Sequence, residues 1–182
     1  MAVTPAQLAT LKAAINADPT LSAFQMTGDG YFDLAVFLNT SIATPDFWIW
    51  RESVPKGEYT QGTSVDGTTF NWTGAGFITR SVGERDAWRE LFNGTGQLNP
   101  ALVSVRQALN DIFSGATAPA PANRTHLLAV SRTKATRIQK VFAVASAAPP
   151  TPSGALGSVT AVATTSVSSV SPADVEAARN LP

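Results

Sequence analysis

The chain has 182 residues, is 44% hydrophobic and only 14% charged, and balances thirteen basic against thirteen acidic side chains. That length suits one domain with an appendage, and that hydrophobic share is enough for a real core. Cysteine is absent, which excludes disulfides, thiolate metal sites and cysteine nucleophiles, and no stretch approaches the roughly 18–20 apolar residues of a membrane span.

In chain order, Met1-Ala2-Val3-Thr4-Pro5 has neither the basic start nor the apolar run of a signal peptide, so a cytoplasmic site of synthesis is expected. Thr4-Pro5-Ala6-Gln7 reads as a capping box with proline at the first helical position, and Leu8, Leu11 and Ile15 then share a helix face. Asp18-Pro19 ends that helix, because the residue before proline is pushed out of the helical region. A second helix is predicted from about Gly30 to Leu38 with Asp29 as cap and Leu34, Phe37 and Leu38 inward. Thr44-Pro45-Asp46 repeats the cap-plus-proline start, opening on the aromatic run Phe47-Trp48-Ile49-Trp50. Residues 52–80 are irregular: Asp66-Gly67 marks a turn, Thr68 to Trp72 looks extended, and Thr73 to Gly76 looks like a loop.

Ser81-Val82-Gly83-Glu84 is a second capping box, followed by Trp88, Leu91 and Phe92 and stopped near Gly94. Asn99-Pro100 starts a further helix with Leu102, Val105, Leu109 and Ile112 at helical spacing, stopped at Gly115. Ala116 to Ala122 is expected to be a linker. Asn123 is expected to cap a long helix to about Val144, with Leu127, Leu128, Ala135, Ile138 and Phe142 as its apolar stripe. Pro149 to Pro152 is a stiff segment. Gly157 to Val170 is rich in Val, Thr and Ser and favours strand, and Ser171-Pro172-Ala173-Asp174 caps a short last helix. The expected fold class is mainly α: a helical body over residues 1–146 with an irregular aromatic-rich insertion, then a C-terminal extended or β arm over 147–182 that ends in a short helix. A small amphipathic element at the end of an arm is a plausible plug for a partner. Val159, Val162, Val167, Val170, Val175 and Arg179 are its candidate contacts.

Few residues suggest catalysis. His126 is the single histidine, so any Ser-His-Asp arrangement would have to use it; beside Leu127 and Leu128 on a helix, it reads as an ordinary packed side chain. One histidine and no cysteine leave only carboxylates for a metal, without a calcium-loop pattern. Glu84, Asp86 and Glu90 alternate with Arg85 and Arg89 at helical spacing and read as a solvated, salt-bridged face. Gly74-Ala75-Gly76 is a lone GxG without the rest of a phosphate fingerprint. Phe47, Trp48, Trp50, Trp72 and Trp88 are expected to share a core, with a stacking platform for sugars or bases as the sharper alternative. No cofactor, metal or catalytic residue is expected.

Charge is unevenly placed. Residues 1–111 hold seven basic and eleven acidic side chains, whereas residues 112–173 hold five basic and none acidic. Those five, Arg124, Arg132, Lys134, Arg137 and Lys140, would lie on the predicted long helix. Three readings stand: a solvated helix face, contact with an acidic neighbouring subunit, or contact with nucleic acid.

With the segments laid out, the chain resembles a group of tailed-bacteriophage structural proteins. The matching stretches are Thr44 to Arg51 (TPDFWIWR), Gly67 to Thr73 (GTTFNWT), Arg85-Asp86-Ala87-Trp88, Val105 to Gly115 (VRQALNDIFSG), Ala135-Thr136-Arg137, and Asp174 to Asn180 (DVEAARN). Together they span roughly residues 30–145 and the last nine. The resemblance implies a non-enzymatic virion protein of the head–tail connector (adaptor or neck) type, a homo-oligomeric ring beneath the portal. Its implied partners are other copies of itself, the portal protein and neck or tail proteins, with non-specific contact to packaged DNA and no membrane. The aromatic middle and the irregular 52–80 region depart from that outline and leave a tail-completion or capsid-associated role open.

Overall fold

The computed structural model describes residues 3–64, 66–114, 120–145 and 162–182. Its architecture is mainly α. In chain order the helices are α1 (Pro5–Ala17), α2 (Pro19–Ser22), α3 (Gly28–Thr40), α4 (Lys56–Gln61), α5 (Val82–Leu91), α6 (Val103–Ile112), α7 (Ala120–Val130), α8 (Arg137–Val141) and α9 (Pro172–Arg179), with one π turn at Gly74–Ile78. Strands are short: Trp48–Trp50, Val54–Pro55, Gln97–Leu98, Arg132–Lys134, Ala143–Ala145 and Val162–Thr165.

The chain divides into two compact units. Unit 1 takes residues 1–49, 134–144 and 165–182, and unit 2 takes 50–133 and 145–164. The last eighteen residues fall in unit 1 with the first helices.

In unit 1, α1 starts as its sequence dictates: Thr4 accepts from the Gln7 amide, the Gln7 side chain accepts from the Thr4 amide, and Pro5 occupies the first helical position. Asp18 then ends α1 and caps α2 by accepting from the Thr20 amide at 2.9 Å. α3 begins two residues before its predicted start, capped by Thr27 in place of Asp29. Gly30 sits one turn in, where a Cβ would lie 2.1 Å from the Gln25 carbonyl oxygen; no other residue fits that approach. The core joins Leu11 and Ile15 of α1, Leu34, Ala35 and Leu38 of α3, Ile138 of α8, and Val170, Val175 and Ala178 of the last segment.

In unit 2, Val54 pairs with Leu98 and Pro55 with Gln97 in an antiparallel ladder. Asp66-Gly67 forms the expected turn, with Gly67 at φ 75° in the left-handed region. α5 carries the capping box of Ser81 and Glu84. Its Trp88 stacks on Phe70 at 5.6 Å and meets Phe92 at 4.9 Å and Phe113 at 5.5 Å edge-on. Leu109 and Ile112 of α6 and Leu127 and Val130 of α7 close this core.

Four expectations are corrected. Thr44-Pro45-Asp46 opens a strand, Trp48–Trp50, instead of a helix; aromatic and β-branched side chains favour the extended chain, and the Phe47 carbonyl accepts from the Ala135 amide at 2.8 Å. The predicted helix from Asn123 to Val144 is two helices with a strand between them. Ser131 turns its hydroxyl back onto the Leu127 carbonyl at 2.7 Å, a local bond that competes with continuation, and Thr136 opens a new capping box. The predicted 116–122 linker yields to α7 at Ala120, whereas residues 115–119 lie outside the described residues. The five aromatics also do not form one cluster: Trp50 and Trp88 are buried, Trp72 is exposed, and Phe47 and Trp48 are half-buried.

Candidate functional site

The basic residues of 124–140 come from three elements, with Arg124 and Arg132 in unit 2 and Lys134, Arg137 and Lys140 in unit 1. Arg124 is buried on α7 and donates to the Phe113 carbonyl at 2.9 Å; burial also pulls its guanidinium downward in pKa. Arg132 pairs with Asp66 and Lys134 with Asp46. Arg137 pairs with Asp18 at 2.8 Å and lies 4.9 Å from the Phe37 ring, and Lys140 donates to the Thr44 carbonyl at 3.2 Å. The sequence excess of positive charge over residues 112–173 is thus answered by carboxylates and carbonyls from residues 1–113. Spacing on an unbroken helix cannot reveal such long-range partners.

The arm residues are likewise spoken for where they are described. Val170 and Val175 are buried in unit 1, and Val167 packs against the same core. Arg179 donates to the Phe24 carbonyl at 2.9 Å. The Asn39 side chain clamps Val170, donating to its carbonyl at 2.8 Å and accepting from its amide at 3.0 Å. Lys12 donates to the Leu181 carbonyl at 2.6 Å. Val159 lies outside the described residues, and Val162 belongs to the strand Val162–Thr165. Burial of Val170 and Val175 and the bonds made by Arg179 are met within unit 1.

His126 is fully buried in unit 2. Its Nε2 lies 2.8 Å from the Tyr59 carbonyl oxygen, and its Nδ1 lies 3.0 Å from the Thr68 carbonyl and 3.2 Å from the Thr68 hydroxyl. The Tyr59 carbonyl can only accept, so the Nε2–H donates to it, while Nδ1 faces both the hydroxyl and the carbonyl of Thr68. One turn earlier, Asn123 accepts from the Asn71 amide at 2.8 Å and donates to the Asn71 and Gly76 carbonyls, each at 3.1 Å. Asn123 is therefore a pin for the 71–76 loop and not a helix cap. The Tyr59 hydroxyl meets Ser131 at 2.9 Å, and burial pushes its pKa up. These groups tie the irregular 59–76 stretch to α7, and they hold one another.

Each unit carries one cleft of note. In unit 2, a space of about 170 Å³ is lined by Arg51, Glu58, Ser64, Arg132 and Thr133 among others. Glu58 holds Arg51 through both carboxylate oxygens, which lowers the Glu58 pKa and raises that of Arg51. In unit 1, about 270 Å³ lies beside Asp18, Leu21, Arg137 and Lys140. Hydrogen bonding from Thr20 foremost, against some burial, and then the Arg137 charge hold Asp18 below its ordinary pKa. In both clefts opposite charges are already closed on each other. Among the described residues there is no group of three or more His, Asp or Glu placed to hold a metal, and no helix is long and apolar enough to cross a membrane.

Sequence reasoning missed the outward apolar residues. Phe32 and Val36 on α3 are exposed, as are Ile78 at the end of the π turn, Val82 at the start of α5, and Leu102 and Val103 at the start of α6. A helical period marks which face is apolar, and all of these but Leu102 lie off the faces it marks; Leu102, expected inward, is exposed because it caps a helix that starts at Val103 and not at Asn99-Pro100. Comparison with known proteins finds no matching family, no matching curated protein and no matching solved structure.

Proposed function

We propose that this chain is a structural subunit of a tailed-bacteriophage virion and forms a homo-oligomeric ring at the head–tail junction. The observation that carries the reading is where the molecule places its chemistry. Its ionisable and polar groups are spent on internal closure, as at His126, Arg51–Glu58 and Arg137–Asp18. Meanwhile large apolar side chains such as Phe32, Ile78 and Val82 face outward, where only a neighbour would cover them. The class of assembly rests on the resemblance of the sequence stretches to phage structural proteins. Portal and neck or tail proteins are the partners this role calls for, and copies of the chain itself are the first of them.

The basic residues give the nucleic-acid reading little support. Phosphate contact needs cations free to release counterions, and Arg132, Lys134 and Arg137 are engaged by carboxylates. Imaging of the assembled particle tests the proposal. A closed ring of copies between portal and tail is expected. Mature particles that lack the chain would overturn the virion role, and copies located away from the junction would overturn the station.

A further inference from the structure

α3 has two faces. Tyr31, Leu34, Ala35 and Leu38 point into unit 1. On the other side Phe32 and Val36, one helical turn apart, are 57% and 45% exposed. Asp29 and Asp33 are exposed on the same outer side, and neither has an ion pair or a side-chain hydrogen bond among the described residues. This is an apolar strip edged with unanswered negative charge.

Unit 2 carries its counterpart. Ile78 is 62% and Val82 66% exposed, and Arg85 follows Val82 by three positions on α5. Of the lysine and arginine side chains, all among the described residues, that of Arg85 alone has no ion pair, hydrogen bond or ring partner, and its Nε is shielded from solvent without an acceptor. Its helix neighbours do not serve it: Arg89 binds Asp86 at 2.8 Å, and Glu84 answers Ser81 and Arg80.

We infer that the α3 face of one copy docks on the Ile78–Val82–Arg85 face of the next, with Phe32 and Val36 covering Ile78 and Val82 and an α3 carboxylate meeting Arg85. Each patch lacks what the other has. Two α3 faces would oppose like charges, so a self-complementary contact is disfavoured. Two different patches make a heterologous contact, which propagates head to tail and closes into a ring when the rotation permits. The inference rests on the ring reading and names the surfaces that would build it.

The absence of cysteine makes the test clean. In the full chain, Val36→Cys together with Val82→Cys should give, on mild oxidation, a ladder of disulfide-linked multimers, whereas each single variant should stop at dimers. Independently, Asp33→Arg and Arg85→Glu should each weaken self-association at least tenfold by analytical ultracentrifugation. Mixing the two variants should restore it, since every contact in an alternating assembly then pairs opposite charges. Circular dichroism of the variants should match the parent, because both side chains lie outside the cores. A ladder with rescue on mixing supports the interface. Wild-type self-association that neither charge swap alters, with no ladder, overturns the interface and leaves the ring reading standing. A chain that stays monomeric and forms no ladder overturns this interface as well, and its absence from particles would separately overturn the ring.

Discussion

In unit 1 the buried side chains are mostly aliphatic and come from three stretches far apart in the chain, residues 1–49, 134–144 and 165–182. In unit 2 aromatic and aliphatic side chains share the core about equally, arise almost entirely from one continuous stretch between residues 50 and 133, and surround buried polar groups such as Asn123, Arg124 and His126. The contrast separates two ways of fixing a fold. Unit 1 is specified by apolar burial between distant segments, with Asn39 and Lys12 tying the returning end in place. Unit 2 encloses backbone without regular secondary structure, and buried carbonyls and amides there must find side-chain partners because unpaired ones are costly. The first unit should therefore be sensitive to its tail, and the second to its polar pins.

The largest effect should come from the tail. Removing residues 165–182 takes away Val170, Val175 and Ala178 and uncovers α1 and α3. At about 1.5–3 kcal/mol for each large apolar side chain buried, that loss is comparable to the whole stability of a small domain. Hydrogen exchange should show α1 and α3 unprotected while α5 and α7 keep protection. Equal loss of protection in both sets would break the comparison. Trp88→Ala reverses it: a cavity among Phe70, Phe92 and Phe113 should cost about 3–5 kcal/mol, read as a lowered denaturant midpoint, with protection lost first around α5 and α6.

A smaller and paired effect should come from the two asparagines. Asn123→Ala leaves the Asn71 amide and the Gly76 carbonyl without partners, and Asn39→Ala does the same to Val170. Each should cost about 1–3 kcal/mol. Proteolysis should then cut near residues 71–76 in the first variant and near 166–171 in the second. Identical cleavage patterns would show that the pins are not local.

The smallest effect is electrostatic. Asp18 and Glu58 both have folded-state pKa values below their unfolded ones. Their stabilisation is fully present above the ordinary carboxylate range of about 4 and is lost as pH falls through the depressed folded values. Glu58→Gln should flatten the acid limb of unit 2 and Asp18→Asn that of unit 1, as followed by unit-specific exchange. Both groups are solvent-accessible, so the shifts should be modest.

The sequence by itself determined where three of the helices begin. Thr4, Ser81 and Ser171 each carry a capping partner three residues on, and these boxes satisfy amides locally whatever the rest of the chain does. It also determined the mainly helical class and the Asp66-Gly67 turn. Only the tertiary structure decided that 124–140 breaks at Ser131–Ala135, that the final helix belongs to the core, and which carboxylate or carbonyl answers each cation. The aromatic run at 47–50 and the caps of α3 and α7 fall on the same side of that line. Many of the partners lie far off in the chain, up to 170 residues away, and periodicity reports which face of an element is apolar without saying what will cover it. The outward Phe32, Val36, Ile78 and Val82 were hidden for the same reason: their exposure is a property of the folded surface and not of any local pattern.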